Sequence, residues 1–236
     1  SRRFDERRGK MEDKVIEYYS KFKEIYTKEN YPEWFKFCKS YNVKKGFADV
    51  GYKENQLGHE LGHYAIFQTP IYKEKEIVIV GNNNSWFIPN KYMMKESLEI
   101  VKDLEEGIPE KNFLTRNESH YSRDLRSYFE ILGEDSKRLF ERAIGINRLW
   151  IQTGPKCPPS ECELKEEMKS NFDLKDEWKI LQENCEKWTK EIIELINPSL
   201  LLLLSGAAQK LYPQGFHNKG FWVQHSYAPS YKYPTG

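Results

Sequence analysis

Two short, unbroken apolar runs constrain this chain more than any other feature. Ile77-Val-Ile-Val80 follows a charged stretch and stops at Gly81, and Leu200-Leu-Leu-Leu-Leu204 follows Asn197-Pro198 and stops at Ser205-Gly206. Neither run alternates apolar with polar residues, so neither suits a strand with one wet face. Runs this short between turn formers read as fully buried strands. Strands buried on both faces belong to parallel sheets, because crossover helices cover each side. Arg148-Leu-Trp-Ile-Gln-Thr153, stopped by Gly154-Pro155, and Phe221-Trp-Val-Gln224 are expected to add a second and a fourth strand.

Helical periodicity fills most of the intervening sequence. Residues 11–42 place Val15, Tyr18, Tyr19, Phe22, Ile25 and Tyr26 at three- and four-residue steps, and Pro32 starts a second helix with Trp34, Phe35 and Phe37. Lys45 to Pro70 reads as loop or mixed structure. Tyr92 to Glu106 is expected to be helical until Gly107 and Pro109, and residues 118–145 to form one or two helices ended by Gly145. A Pro-, Cys- and acid-rich insertion then leads to a long helix from about Asp173 to Ile196. Its apolar side is Trp178, Ile180, Leu181, Cys185, Trp188, Ile192, Ile193 and Ile196; a short helix follows at Gly206 to Leu211. Strands alternating with helices predict a three-layer α/β/α fold with a central four-stranded parallel sheet and an N-terminal helical extension. The expected division is an arm at 1–10, N-terminal helices at 11–45, and one α/β domain at 46–236.

Charged residues make up 31% of the 236 and nearly cancel, at +1. Attraction to nucleic acid therefore has to come from local patches. No apolar run reaches the roughly 18 residues of a membrane span, and no stretch has the form of a signal peptide. Cys38, Cys157, Cys162 and Cys185 do not form the pattern of a small secreted domain. The expectation is a soluble, intracellular monomer, cytoplasmic or, in a eukaryote, nuclear, with no membrane partner.

In open parallel sheets ligands bind beyond the carboxyl ends of the strands. The expected strands deliver Gly81-Asn82-Asn83-Asn84-Ser85-Trp86-Phe87, Gln152-Thr153, Ser205-Gly206 and Gln224-His225-Ser226 to that edge. Loops are polar in any protein, and each segment alone is ordinary turn chemistry. Four together, with a triple Asn and a His, point to a site.

In order and spacing, residues 65–230 resemble the uracil–DNA glycosylase superfamily. Thr69-Pro70, the first strand and Gly81-Asn-Asn-Asn-Ser85 are similar to that family's water-activating motif. Asn83 stands where the mismatch-specific and single-strand-selective branches place Asn, and Asn82 where the thermophilic iron–sulfur branch places its acid. Lys156-Cys157-Pro158-Pro159, Cys185 and Ile196 to Ala208 are similar to the iron–sulfur branch, and His225-Ser226 with Pro229-Ser230 stands in place of the His-Pro-Ser motif. Three departures are visible. Only Cys38 occupies the region of the N-terminal Cys-x-x-Cys, so no four-thiolate cluster is expected. Thr153, beside Gln152, replaces the Asn that reads the pyrimidine edge; a hydroxyl cannot match an amide that both donates and accepts. The Pro after the His is missing.

The resemblance implies excision of a base flipped out of damaged or mismatched DNA. The transition state separates a cationic sugar from an anionic base. It requires a held water, a stacking wall, polar contacts to the base and a donor toward the developing anion. Asn83 (or Asn82) suits the water, Trp86 and Phe87 the wall, Gln152 and Thr153 the base, and His225 the donor. Ser205, Ser226 and Ser230, with Lys219 and Lys232, are expected to grip the DNA backbone. After Glu194 the chain has no acid, but it has Lys210, Lys219, Lys232 and seven aromatic residues, a composition suited to stacking and phosphate contact as well as to packing. No metal and no cofactor are expected.

Two other readings stay open. His59-Glu60-x-x-His63, on a helix, would put two imidazoles on one face for zinc with the Glu as base, as in a metalloprotease. Pro70 follows closely, however, and Ile66 and Thr69 stand where an extended motif would place its later residues. The third reading is a catalytically inactive DNA- or protein-binding module on the same fold.

Overall fold

The computed structural model describes residues 2–44, 66–71, 77–83, 112, 114, 120–131, 133–151, 164–213 and 222–225. The chain is mixed α/β and is built on a parallel sheet. Two helices open it, α1 (Arg2–Ile25) and α2 (Pro32–Lys44). The first begins nine residues before the expected Met11: the residues set aside as an arm are helical, in keeping with their Arg, Lys and Glu content. The Asn30 amide closes its end by donating to the Ile25 carbonyl at 3.0 Å, and Pro32 then starts α2, where its missing N–H costs nothing.

The sheet's body runs β2-β1-β3, with β1 at Ile77–Asn83, β2 at Ile144–Leu149 and β3 at Leu200–Leu203. Val78 pairs with Ile144 on one side and Leu201 on the other. Beyond β3 lies β4 (Trp222–His225), parallel and in register from Leu200↔Trp222 to Leu203↔His225. The far edge of β2 is covered. Phe67 bridges Ile146 antiparallel, Gln68 N–H donates to the Gly145 carbonyl at 2.8 Å, and Asn147 N–H donates to the Ile66 carbonyl at 2.9 Å. Covering an edge in this way removes a template for unwanted pairing.

Alternate strand residues feed two cores. Val78, Val80, Ile144, Ile146, Leu201 and Leu203 pack with α1, α2 and the long helix α5 (Phe172–Ile196). Ile77, Ile79 and Leu202 pack with Leu114 and with α3 (His120–Ile131) and α4 (Glu134–Glu141). This two-sided burial is why the strands read as continuous apolar runs. Asn171 caps α5 by accepting Leu174 N–H at 3.0 Å, and Asn197 ends it in the left-handed conformation (φ 52°). A four-residue helix, α6 (Gly206–Gln209), follows β3. Among the described residues no helix is long and apolar enough to cross a membrane.

Three expectations change. β2 begins four residues earlier than Arg148, so Gly145 is a strand residue rather than a helix stop. A Cβ there would lie 2.9 Å from Leu114 Cδ1 and 3.2 Å from Gln68 Cβ, so close packing accounts for the glycine. β1 runs through Gly81 to Asn83, because β2 continues beside it, Gly81↔Asn147 and Asn83↔Leu149. Ile180 lies 49% exposed on α5, and Leu174 and Thr189 join the buried side instead. The expected helix at 92–106 lies outside the described residues.

Candidate active site at the carboxyl edge

From β1 the chain passes through α3 and α4 to β2 on one side, then through α5 back across to β3 on the other. Connections leaving a strand toward opposite faces mark the switch point of an open parallel sheet, where a crevice forms at the carboxyl ends. The switch point of this sheet lies between β1 and β3. Their pairing ends at Val80↔Leu203, and Leu204 N–H donates to the Val80 carbonyl at 3.1 Å. Past that bond β1 continues along β2 as Gly81-Asn82-Asn83, while β3 turns into Ser205 and α6.

Ser205 serves the fold locally: its hydroxyl accepts Ala208 N–H at 2.9 Å and caps α6. His225 ends β4 level with Leu203, and therefore with Val80 two strands away. Neighbouring strands are spaced by about 4.8 Å, so its backbone lies roughly 10 Å across the sheet from Val80, and Asn83 lies roughly 10 Å farther along β1. The parallel register thus brings Asn82, Asn83, Ser205 and His225 to one edge from three different strands.

The carboxyl end of β2 differs from the sequence expectation. Its last residue is Leu149, and Trp150 and Ile151 after it are fully buried. Asn147 and Arg148 are buried polar residues that the apolar-run reading did not single out. The Asn147 side chain accepts from the Gln68 amide at 2.8 Å, and the Arg148 guanidinium donates to Glu186 on α5. Thr189 donates toward the Asn147 and Arg148 carbonyls and accepts the Trp150 indole N–H at 2.9 Å. The signal for this cluster was the polar residue one helical turn after Cys185 on an otherwise apolar face, namely Thr189. It anchors β2 beneath the edge.

Cys185, in the region similar to the iron–sulfur branch, is buried in the core, and burial pushes its thiol up to about 12. A thiol so buried behaves as a small apolar residue rather than a ligand in waiting. Trp86, Phe87, Gln152, Thr153, Ser226, Ser230, Lys219 and Lys232 lie outside the described residues, as does the His59-Glu60-x-x-His63 segment. No protein-family model, curated protein or solved structure matches this chain.

Proposed function

We propose that the chain is a DNA-base excision glycosylase that hydrolyses the N-glycosidic bond of a flipped uracil or other damaged base. The observation that carries this reading is the register at the carboxyl edge: Asn82 and Asn83 end β1, Ser205 follows β3 and His225 ends β4. We read the whole as a three-layer α/β/α monomer around a four-stranded sheet, working on DNA inside the cell. Asn83 holds the attacking water under the sugar, with Asn82 as its neighbour and substitute. His225 donates to the base as it leaves with the bonding electron pair. Trp86 and Phe87 stack on the extruded base, and Gln152 and Thr153 contact its edge. Ser205, Ser226, Ser230, Lys219 and Lys232 hold the backbone. Polar groups held in place ahead of the reaction are where most of the rate gain arises in sites of this kind.

The test is incubation of the purified chain with oligonucleotides carrying uracil, hypoxanthine, xanthine or a G·T mismatch, followed by alkaline cleavage at abasic sites. Cleavage at one of these bases, persisting in EDTA, is the expected result. No cleavage at any of them would overturn the assignment. Cleavage of a peptide substrate, lost in EDTA and restored by zinc, would move the chemistry to His59-Glu60-x-x-His63.

A further inference from the structure

Past Val80, β1 leaves β3 and pairs, among the described residues, with β2 alone: Gly81 lies opposite Asn147 and Asn83 opposite Leu149. Where the backbone of Asn82 and Asn83 stands is therefore inherited from the end of β2. Two strands on their own are marginal in water, so such an extension needs β2 itself to be held. Two buried hydroxyls from outside the sheet hold it.

One belongs to Thr189, on α5. It donates toward the Asn147 and Arg148 carbonyls, at 3.3 Å each, and accepts the Trp150 indole N–H at 2.9 Å. The other belongs to Tyr19, on α1. Its hydroxyl accepts Ile66 N–H at 3.1 Å, and the Ile66 carbonyl accepts Asn147 N–H at 2.9 Å. Gln68, two residues on, donates its amide to the Asn147 side chain at 2.8 Å. Aromatic packing joins the two supports. Phe22, one turn after Tyr19, meets Trp150 edge-on at 5.4 Å, and Trp150 lies 5.4 Å from Trp188, the neighbour of Thr189. Both Tyr19 and Thr189 are buried. Apolar contacts tolerate sliding, whereas a satisfied buried polar network specifies one arrangement. This network sits where β1 has just lost one of its two neighbours.

We propose that Tyr19 and Thr189 are positioning residues for the carboxyl-edge site: acting through β2, they fix where the Asn82–Asn83 backbone stands. What that pair does once placed rests on the glycosylase reading. Helix α1 is then part of the foundation of the site. Misplacing a reacting group by about 1 Å can slow a reaction about a hundredfold, so the rate should feel both hydroxyls.

The experiment measures amide hydrogen exchange along β1 in the full chain, for the wild type, Tyr19→Phe, Thr189→Val and Thr189→Ser. A loss of global stability alone speeds exchange no more at residues 81–83 than at Val78 to Val80. A lost positioning hydroxyl is expected to speed it about tenfold more at 81–83, the factor that one hydrogen bond of ordinary strength sustains. Thr189→Ser keeps the hydroxyl and should exchange as the wild type does. The same proteins are compared in single turnover on whichever oligonucleotide named above the wild type cleaves. Tyr19→Phe and Thr189→Val should be slower by about ten- to a hundredfold, with affinity for that DNA near normal. Exchange raised equally along β1, or a Ser variant as loose as the Val variant, would overturn the positioning role and leave base excision standing. So would loosened residues 81–83 with turnover undiminished. Loosened residues 81–83 in a protein that excises no base would uphold the two hydroxyls as positioning groups and sink the glycosylase assignment alone.

Discussion

Glu177, on α5, accepts the backbone N–H of Trp34, on α2, at 2.7 Å, and that of Glu33 at 3.3 Å. The first turn of α2 is thus capped by a side chain from 143 residues away, and Asn171 returns the favour by donating to Glu33 at 2.7 Å. A carboxylate at a helix start also meets the positive end of the helix dipole. Glu177→Ala is expected to cost about 1–2 kcal/mol, the range for a lost cap. For a chain of this size that lowers Tm by roughly 2–8 °C. Glu177→Gln keeps an acceptor and should cost less. Thermal and urea melts of both variants check the order; equal stability of all three proteins would refute it.

Thr189 gives the second prediction. Its hydroxyl is the acceptor for the buried Trp150 indole N–H at 2.9 Å. Thr189→Val keeps the shape and leaves that N–H without its partner. The expected cost is about 1–3 kcal/mol, and Thr189→Ser should recover most of it. Urea unfolding of the three proteins measures this.

Gly145→Ala tests how tightly β2 sits against Leu114. The new Cβ meets Leu114 Cδ1 at 2.9 Å and Gln68 Cβ at 3.2 Å, inside ordinary contact. Overpacking of this kind costs about 1–3 kcal/mol. Pairing it with Leu114→Ala removes the nearer obstacle, so the double variant should be less destabilised than the sum of the two singles. Strict additivity would mean that the clash is relieved elsewhere.

Cys185 gives an alkaline signature. Burial pushes its thiol up to about 12, whereas an unfolded thiol titrates near ~8.5. Between those values the unfolded chain releases a proton that the folded chain keeps, so stability falls as pH rises. One thiol contributes a slope of about 1.4 kcal/mol per pH unit across that window. Cys185→Ala is less stable at pH 7 because it leaves a void, but it lacks this slope. The two stability curves should therefore converge between pH 9 and 10.5; parallel curves would show that the thiol is not held protonated.

Continuous apolar runs made the sheet legible: Ile77 to Val80 and Leu200 to Leu203 read as two-sided strands because they are short and lie between turn formers, and both are strands. The long helix was legible from its spacing, with its start shifted by a single residue to Phe172. β2 was misplaced for two physical reasons. Gly145 reads as a helix stop when close packing against Leu114 is invisible, and Arg148 reads as a boundary when its partner Glu186 is 38 residues away. Asn82 and Asn83 read as loop because Asn is a poor strand former, yet pairing with β2 holds them in β1. The docking of α2 on α5 was not legible at all, since it depends on a contact between Glu177 and Trp34 that no local pattern encodes.

Asn83 and His225 stand at different depths of the carboxyl edge, Asn83 three residues beyond Val80 and His225 level with it. In the proposed reaction they act on opposite ends of the breaking bond, so mutation should separate them. Asn83→Ala should leave affinity for damaged DNA near normal while turnover drops by about a hundred- to a thousand-fold, the loss typical of one well-placed polar group. If turnover survives, the water is held at Asn82 and the double variant should then be inactive. His225→Ala should also slow the chemical step, but unequally. A base that forms a stable anion needs little help in leaving, whereas a poor leaving group needs the donor most. Single-turnover rates on two substrates whose bases differ in acidity measure this directly. A larger loss on the less acidic base is the expected result, and equal losses on both would remove His225 from the leaving-group role.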